Sequence, residues 1–158
     1  MHLDSIKIIF LLITILLILT LLFSNRKFYD RKLKFLLSSL TVSLILLFTI
    51  VLKLHHLLRS EFGIPNSLTY TLVLIPFLFH FYQFKFEIIR TNFVLLILSI
   101  CFISSAVILD LLTDGKIILL PDSDLKEEFL RIVGTGLWML YYIKYSLKFR
   151  NIQDVRIK

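Results

Sequence analysis

The side chains that could carry chemistry are few, and several of them stand at the ends of apolar stretches. His55 and His56 close one such stretch with Arg59 behind them, and Asp110 and Asp114 close another. Histidines and carboxylates together can ligate a divalent cation. Adjacent residues on a helix point about 100° apart, however, so the two histidines cannot both face one metal ion without irregular backbone. The pattern predicts an outer polar cluster of these five residues, paired or hydrated at the interface, and no metal site.

A further histidine, His80, lies in an aromatic segment that covers residues 77–84. A histidine buried there could relay protons or bind a cofactor, and a quinone or pigment slot among the rings is an open alternative. Aromatic belts are ordinary at membrane interfaces. The interpretation adopted is a structural histidine and no bound cofactor.

Motifs for catalysis are missing from the sequence. Hydrolysis inside a membrane needs a nucleophile with a base, paired aspartates or a metal site. The chain contains neither His-Glu-x-x-His nor Gly-x-Ser-x-Gly, and no two aspartates fall within one apolar stretch. Gly134-Thr135-Gly136 lies in an apolar stretch and lacks the lysine of a phosphate-binding loop. We therefore predict that the protein is not an enzyme.

The elements that position these residues are long uncharged stretches. Hydrophobic residues make up 58% of the 158 residues, compared with about 45–50% in an average soluble domain. A helix needs about 20 apolar residues to cross a bilayer. The predicted fold is all-α: one polytopic integral membrane domain, a bundle of five transmembrane helices with four as the alternative. The predicted spans are residues 6–23, 34–57, 68–84, 91–112 and 124–149, with an acidic loop outside the cytoplasm at residues 112–124.

The fifth span is the least apolar of the set. Only 12 residues between Arg131 and Lys144 lack charge, but both side chains can extend to the interface along their aliphatic stems. Residues 121–124 followed by Glu127 have the pattern of a helix N-terminus. These features favour a crossing helix over a surface segment.

The distribution of charge predicts the orientation. With five spans, the segments 24–34, 85–90 and 144–158 share one side and carry twelve Lys or Arg against three acids, whereas the other side carries six against eight. Lys and Arg are retained in cytoplasmic loops. We therefore expect a multi-pass protein of the bacterial cytoplasmic (inner) membrane, with the N-terminus outside and the C-terminus in the cytoplasm.

Helices in lipid associate through small residues and interhelical hydrogen bonds. The residues predicted to pack helices together are Ser39, Ser43, Cys101, Ser105 and Gly134. The first span has only Thr14 and Thr20 for polarity, which predicts a peripheral helix or one that docks onto another protein. Pro76 removes a backbone hydrogen bond within the third span and predicts a kink there.

Aromatic and basic residues alternate at the end of the fifth span. We expect them to lie at the level of the lipid headgroups, with the cations on anionic lipid; they are Trp138, Tyr142, Lys144, Lys148 and Arg150. The net charge of +7 does not point to nucleic acid, because its basic residues stand at helix ends and not on one folded face.

The same C-terminal residues carry a resemblance to a known family. The last third of the chain is similar to domain-of-unknown-function family 2569 of bacterial inner-membrane proteins, in which a tryptophan or apolar turn precedes Pro-Tyr and then a serine among basic residues. The residues that match are Trp138, Tyr142, Ser146, Lys148 and Arg150, after an acidic segment at residues 124–131. The resemblance implies a helical membrane architecture and no particular mechanism.

Together these features favour a non-enzymatic accessory or scaffold subunit. Its expected partners are membrane lipids, including anionic headgroups, and another membrane protein or complex. The alternative is a small carrier or a lipid- or ligand-binding bundle that uses Asp110, His55 and the kink at Pro76.

Overall fold

A computed structural model describes residues 3–24, 30–91, 93–114 and 122–156, except for the side chains of residues 24, 30, 55, 56, 114 and 149–156. Within these ranges the chain forms helices joined by short turns and contains no strand, which confirms the all-α class. The helices are α1 (Leu3–Ser24), α2 (Asp30–Val51), α3 (Leu54–Phe62), α4 (Asn66–Ile89), α5 (Phe93–Asp114) and α6 (Ser123–Arg156).

Four helices are long and apolar enough to cross a membrane. The qualifying segments are Leu3–Phe23, Arg31–Val51, Asn66–Ile89 and Phe93–Thr113. Within the described residues, these four segments belong to α1, α2, α4 and α5. The predicted loop at residues 112–124 is shorter at its start, since α5 continues to Asp114. The apolar patch expected at residues 117–120 lies outside the described residues.

The second apolar stretch is not one continuous helix. We expected a span over residues 34–57, but α2 ends at Val51 and Lys53 adopts left-handed backbone angles, with φ 43° and ψ 53°. This conformation interrupts the helical hydrogen-bond series, and the nine-residue α3 follows. Gly63 ends α3, also with a positive φ of 65°, and donates its backbone N–H to the carbonyl of Arg59.

The kink expected at Pro76 is found elsewhere. The helix continues through Pro76, and the residue with non-helical angles inside α4 is Phe84, with φ −110° and ψ 17°. A proline removes one amide donor but fits helical backbone angles itself. Within α4 the change of direction therefore belongs to the aromatic segment near the end of the helix.

Five helices form a closed ring in the order α1, α2, α4, α5, α6, and α6 returns to pack against α1. The short α3 packs on α2 and α4 at one end of the ring. The first helix was predicted to be peripheral, and this was wrong, because Leu11, Thr14 and Ile18 are fully buried against its neighbours. The alternative, that it docks onto another protein, stays a prediction.

Aromatic side chains fill the centre of the ring. Trp138 and Tyr142 of α6 have no exposed surface. The Trp138 ring lies 5.8 Å from that of Phe77 in α4, and the Tyr145 ring lies 5.4 Å from that of Phe35 in α2. Placing Trp138 and Tyr142 at the lipid interface was therefore wrong. Positions 138, 142 and 145 recur at helical spacing, and that face of α6 points into the bundle.

The cations near these rings are placed differently. Lys144 and Lys148 are exposed, and the Lys148 ammonium donates a hydrogen bond to the backbone carbonyl of Arg90 at 2.9 Å. The side chain of Arg150 lies outside the described residues. The predicted headgroup contacts therefore remain a prediction for Lys144 and Lys148.

A close contact between α5 and α6 lies at Gly134. A Cβ atom on this glycine would come within 2.6 Å of Ile103 Cγ1 and 3.1 Å of the Ser99 carbonyl oxygen. The Ser99 hydroxyl donates a hydrogen bond to the Gly134 carbonyl at 2.7 Å. Small residues permit such an approach in membrane bundles.

The other residues predicted to pack helices together fall on two different faces. Ser39 and Ser43 of α2 are fully buried, and Ser43 accepts a hydrogen bond of 3.1 Å from the Trp138 indole. Cys101 and Ser105 of α5 lie on its exposed side, away from the other helices that the structure describes. The packing face of α5 carries Ser99 instead.

Candidate functional site

A cavity of about 360 Å³ lies at the end of the bundle where α1 begins and α5 ends. We call it the charged cavity. Five carboxylates line it, from Asp4, Asp110, Asp124, Glu127 and Glu128. Three cations line it as well, from Lys7, Lys53 and Arg131, together with Thr49 and Ile50. Its volume lies within the range of about 300–1,000 Å³ that small-molecule sites occupy.

Arg131 of α6 forms the centre of one charged group. Its guanidinium pairs with Glu127 one turn earlier and lies 3.6 Å from the Asp110 carboxylate of α5. It also donates a hydrogen bond of 3.3 Å to the Tyr70 hydroxyl, which in turn donates to Asp110. The side chains of Arg131, Glu127 and Asp110 are each less than 20% exposed. This group ties the start of α4, the end of α5 and the start of α6 together.

Lys7 of α1 forms the centre of a second group. Its side chain is 1% exposed, and its ammonium lies 2.8 Å from the Asp4 carboxylate and pairs with Glu128 of α6. A buried ammonium is stable only when it is paired and hydrogen-bonded. Glu128 is 26% exposed and Asp4 39%, so the buried cation reaches outward to carboxylates at the cavity surface.

Local helix geometry explains how α6 serves both groups. Glu127 and Arg131 are four residues apart and therefore share one face, which points towards α5. Glu128 is rotated about 100° further round the helix, which directs it towards α1 and Lys7. The first two turns of α6 thus bridge its two neighbours in the ring.

The charges of the two groups do not balance. Four carboxylates, from Asp4, Glu128, Asp110 and Glu127, share the two cations Lys7 and Arg131. The remaining lining charges, Lys53 and Asp124, are both exposed and of opposite sign. The charged cavity is therefore lined by more negative than positive side chains.

The predicted outer polar cluster is only partly brought together. Asp110 lines the charged cavity, whereas Arg59 lies exposed on α3 and does not line it. The side chains of His55, His56 and Asp114 lie outside the described residues.

Sequence reasoning missed the residues that complete the site. Lys7, Tyr70 and Glu128 were not among the candidates, and Arg131 was interpreted only as a residue that extends to the interface. The spacing of Glu127 and Arg131 was a readable signal, since opposite charges four residues apart pair on a helix. Nothing in the sequence pairs Lys7 with Glu128, which is 121 residues away.

His80 lies apart from the charged cavity, in the aromatic core. It is fully buried, stacks on the Phe35 ring at 5.4 Å between centroids, and shares a hydrogen bond of 2.9 Å between its Nδ1 and the Ser38 hydroxyl. Its Nε2 has no hydrogen-bond partner among the described residues. This placement resembles a packed core residue more than a ligand in an open site.

Metal coordination finds no support in the described part of the chain. No group of three or more His, Cys, Asp or Glu side chains converges there in a way that could hold an ion. Four of the five carboxylates of the charged cavity, all but that of Asp124, instead pair with Lys7 or Arg131. The chemistry available in the cavity is ion pairing and hydrogen bonding.

A family model described as Domain of unknown function (DUF8692) matches residues 5–145. The chain belongs to this family. The DUF8692 match runs from α1 into α6 and includes every residue that lines the charged cavity except Asp4. No curated protein and no solved structure matches the chain.

The DUF8692 match corrects the expected resemblance to domain-of-unknown-function family 2569, which was wrong. That resemblance depended on aromatic and basic residues at the end of the last helix. Such residues recur wherever a helix leaves a bilayer, so they do not distinguish between families. In this chain Trp138 and Tyr142 belong to the core of the bundle.

Proposed function

We propose that this protein is a five-crossing membrane bundle that binds a small polar ligand in its charged cavity without catalysing a reaction. The proposed number of crossings depends on whether α6 spans the membrane. At its start Arg131 pairs with Asp110 at the end of α5, and further along Lys148 bonds to the Arg90 carbonyl just before α5. From Glu128 to Lys148 a helix rises about 30 Å, which is the thickness of a bilayer core.

The orientation follows from the same threading. With α6 as a crossing, the segments 24–34, 85–90 and 144–158 share the side that carries twelve Lys or Arg against three acids. The rule that basic residues remain inside places this side in the cytoplasm. The proposed location is the cytoplasmic membrane of a bacterium, with the charged cavity on the outer side.

Ligand binding is supported by one observation, the charged cavity itself. A helix-packing role would be served by closely apposed ion pairs, yet here the paired side chains surround about 360 Å³ of open space. A single water needs only about 10–15 Å³ of such space. Charged residues near the ends of membrane helices that face the bundle interior are commonly functional.

The test compares the wild type with a variant that fills the cavity. Ile50 lines the charged cavity and carries no charge, so Ile50→Trp reduces the volume and leaves every ion pair in place. Native mass spectrometry of protein purified in mild detergent should show a bound small molecule or lipid that Ile50→Trp loses. Identical spectra for both proteins would contradict ligand binding.

A second candidate function, the accessory subunit, is favoured by the outer face of α4. Phe79, Tyr82 and Phe86 are 61%, 78% and 57% exposed, and these rings form a wide apolar surface beside the break at Phe84. A partner helix could pack there. Purification in mild detergent should then recover a stoichiometric membrane partner, and Phe79→Ala with Tyr82→Ala should release it. A lone monomer would contradict this candidate.

A further inference from the structure

We propose that the ligand of the charged cavity carries a primary ammonium group. The inference rests on the proposed function and concerns the chemistry of the same cavity. An aminophospholipid headgroup and a free small amine both present this group, and the experiment below separates these two sources.

The sign of the ligand follows from the charges around the cavity. Arg131 serves both Asp110 and Glu127, and Lys7 serves both Asp4 and Glu128. A carboxylate has about four acceptor positions, and one shared cation cannot fill them all. Charges shielded from water are stabilised by pairing. A cationic ligand supplies the missing charge, whereas an anionic ligand adds to the excess.

The type of cation follows from what lines the cavity. Aromatic rings recognise quaternary ammonium groups through their faces, but no Phe, Tyr or Trp is found among the lining residues that the structure describes. Nor do the described acids form a group that could hold a metal ion. A primary ammonium donates three hydrogen bonds, and charge-assisted bonds to carboxylates are strong. The lining therefore fits R–NH₃⁺ better than a trimethylammonium group or a divalent ion.

The rim favours a ligand with both signs of charge. Besides Asp124 at the start of α6, the exposed charge that lines the cavity is Lys53, at the turn between α2 and α3. Its ammonium can meet a phosphate while the amine of the same headgroup enters among the carboxylates. A zwitterionic phosphoethanolamine headgroup satisfies both ends, and a free amine satisfies only the inner one.

The experiment measures retention of lipid by native mass spectrometry after exchange into micelles with equal amounts of phosphatidylethanolamine, phosphatidylcholine and phosphatidylglycerol. The ethanolamine lipid should be retained about tenfold more than the other two, as one charge-assisted hydrogen bond predicts. Ethanolamine in solution is the second arm. Displacement of the lipid by millimolar ethanolamine, but not by ethylene glycol, indicates that the amine alone is recognised; no displacement indicates that the whole headgroup is required.

Variants test whether the preference for the ethanolamine lipid depends on the charged cavity. Glu128→Gln removes one of the carboxylate charges that line the cavity and should reduce the preference for the ethanolamine lipid about tenfold. Asp4→Asn removes another lining carboxylate charge, at a more exposed position, and replaces Glu128→Gln in the test if that variant fails to fold. Glu61→Gln is the matched control, since Glu61 is an exposed acid of α3 that does not line the cavity, and it should leave the preference unchanged.

The outcomes separate this inference from the proposed function. One contrary result is equal retention of the three lipids, and another is a preference for phosphatidylglycerol. If Ile50→Trp abolishes that retention, either result would overturn the ammonium inference and leave ligand binding intact. Absence of any retained molecule, with no response to ethanolamine, would overturn both.

Discussion

Replacing Gly134 by alanine should destabilise the bundle by about 1–3 kcal/mol. The new Cβ would lie 2.6 Å from Ile103 Cγ1 and 3.1 Å from the Ser99 carbonyl oxygen, whereas carbon atoms pack best at about 3.5–4.0 Å. α5 and α6 must therefore separate by roughly 1 Å. Such overpacking costs about 1–3 kcal/mol.

Two smaller effects modify this figure. Separation weakens the hydrogen bond from Ser99 to the Gly134 carbonyl, 2.7 Å long, and interhelical hydrogen bonds in membranes average about 0.6 kcal/mol. Alanine regains up to about 1 kcal/mol through its higher helix propensity. Because these two nearly cancel, the overpacking cost determines the result.

The chain offers a matched control two residues away. A Cβ on Gly136 would lie 3.3 Å from Cε2 of Phe10, a ring edge that can turn aside. Gly136→Ala should therefore be neutral or stabilising by up to about 1 kcal/mol. The assay is denaturant unfolding in mixed micelles, followed by fluorescence of Trp138, the single tryptophan. The reasoning is refuted if Gly134→Ala is as stable as wild type, or if Gly136→Ala is the more damaging change.

Two further predictions concern the polar contacts between helices. Arg131→Met leaves Asp110 and Glu127 without their cation and should lower the unfolding free energy by about 3 kcal/mol. Adding Asp110→Asn and Glu127→Gln should recover most of the lost stability. A triple variant as unstable as Arg131→Met would contradict the buried ion pairing. Ser43→Ala leaves the Trp138 indole N–H unpaired and should lower the unfolding free energy by about 1–2 kcal/mol. A double-mutant cycle with Trp138→Phe, with unfolding followed by circular dichroism, should give a coupling free energy above about 0.5 kcal/mol. Strict additivity would argue against that hydrogen bond.

Much of the fold could be predicted from the sequence. The approximate positions of α1, α4 and α5 follow from uncharged runs, because transfer into lipid depends on apolar length more than on any specific contact. The start of α6 at Ser123, one residue before the prediction, follows from local capping signals. These features are local, so one sequence is enough to show them.

The placement of side chains around the ring could not be predicted in the same way. Trp138 and Tyr142 have the composition of an interfacial belt, yet the ring order directs them inward, and only contacts with α2 and α4 decide this. Lys7 precedes the apolar run of α1 in the sequence, whereas its burial depends on Glu128, which lies 121 residues later in the chain. Such pairings depend on which helices are neighbours, and apolar periodicity does not specify neighbours.

The break after Val51 could not be predicted from the sequence either. The predicted span continued to residue 57 past Lys53, His55 and His56, but Lys53 takes a left-handed conformation that its residue type does not favour. No glycine or proline marks the site. The break leaves Lys53 exposed among the residues that line the charged cavity.

The most direct measurement tests whether α6 crosses the membrane. Asp122→Cys and Lys148→Cys place thiols at exposed positions at the start of α6 and in its last described turns, in a Cys101→Ser background that removes the single native cysteine. A membrane-impermeant maleimide applied to intact cells should label the thiol at position 122, and the thiol at position 148 only after permeabilisation. Labelling of both thiols from one side would contradict a five-crossing bundle.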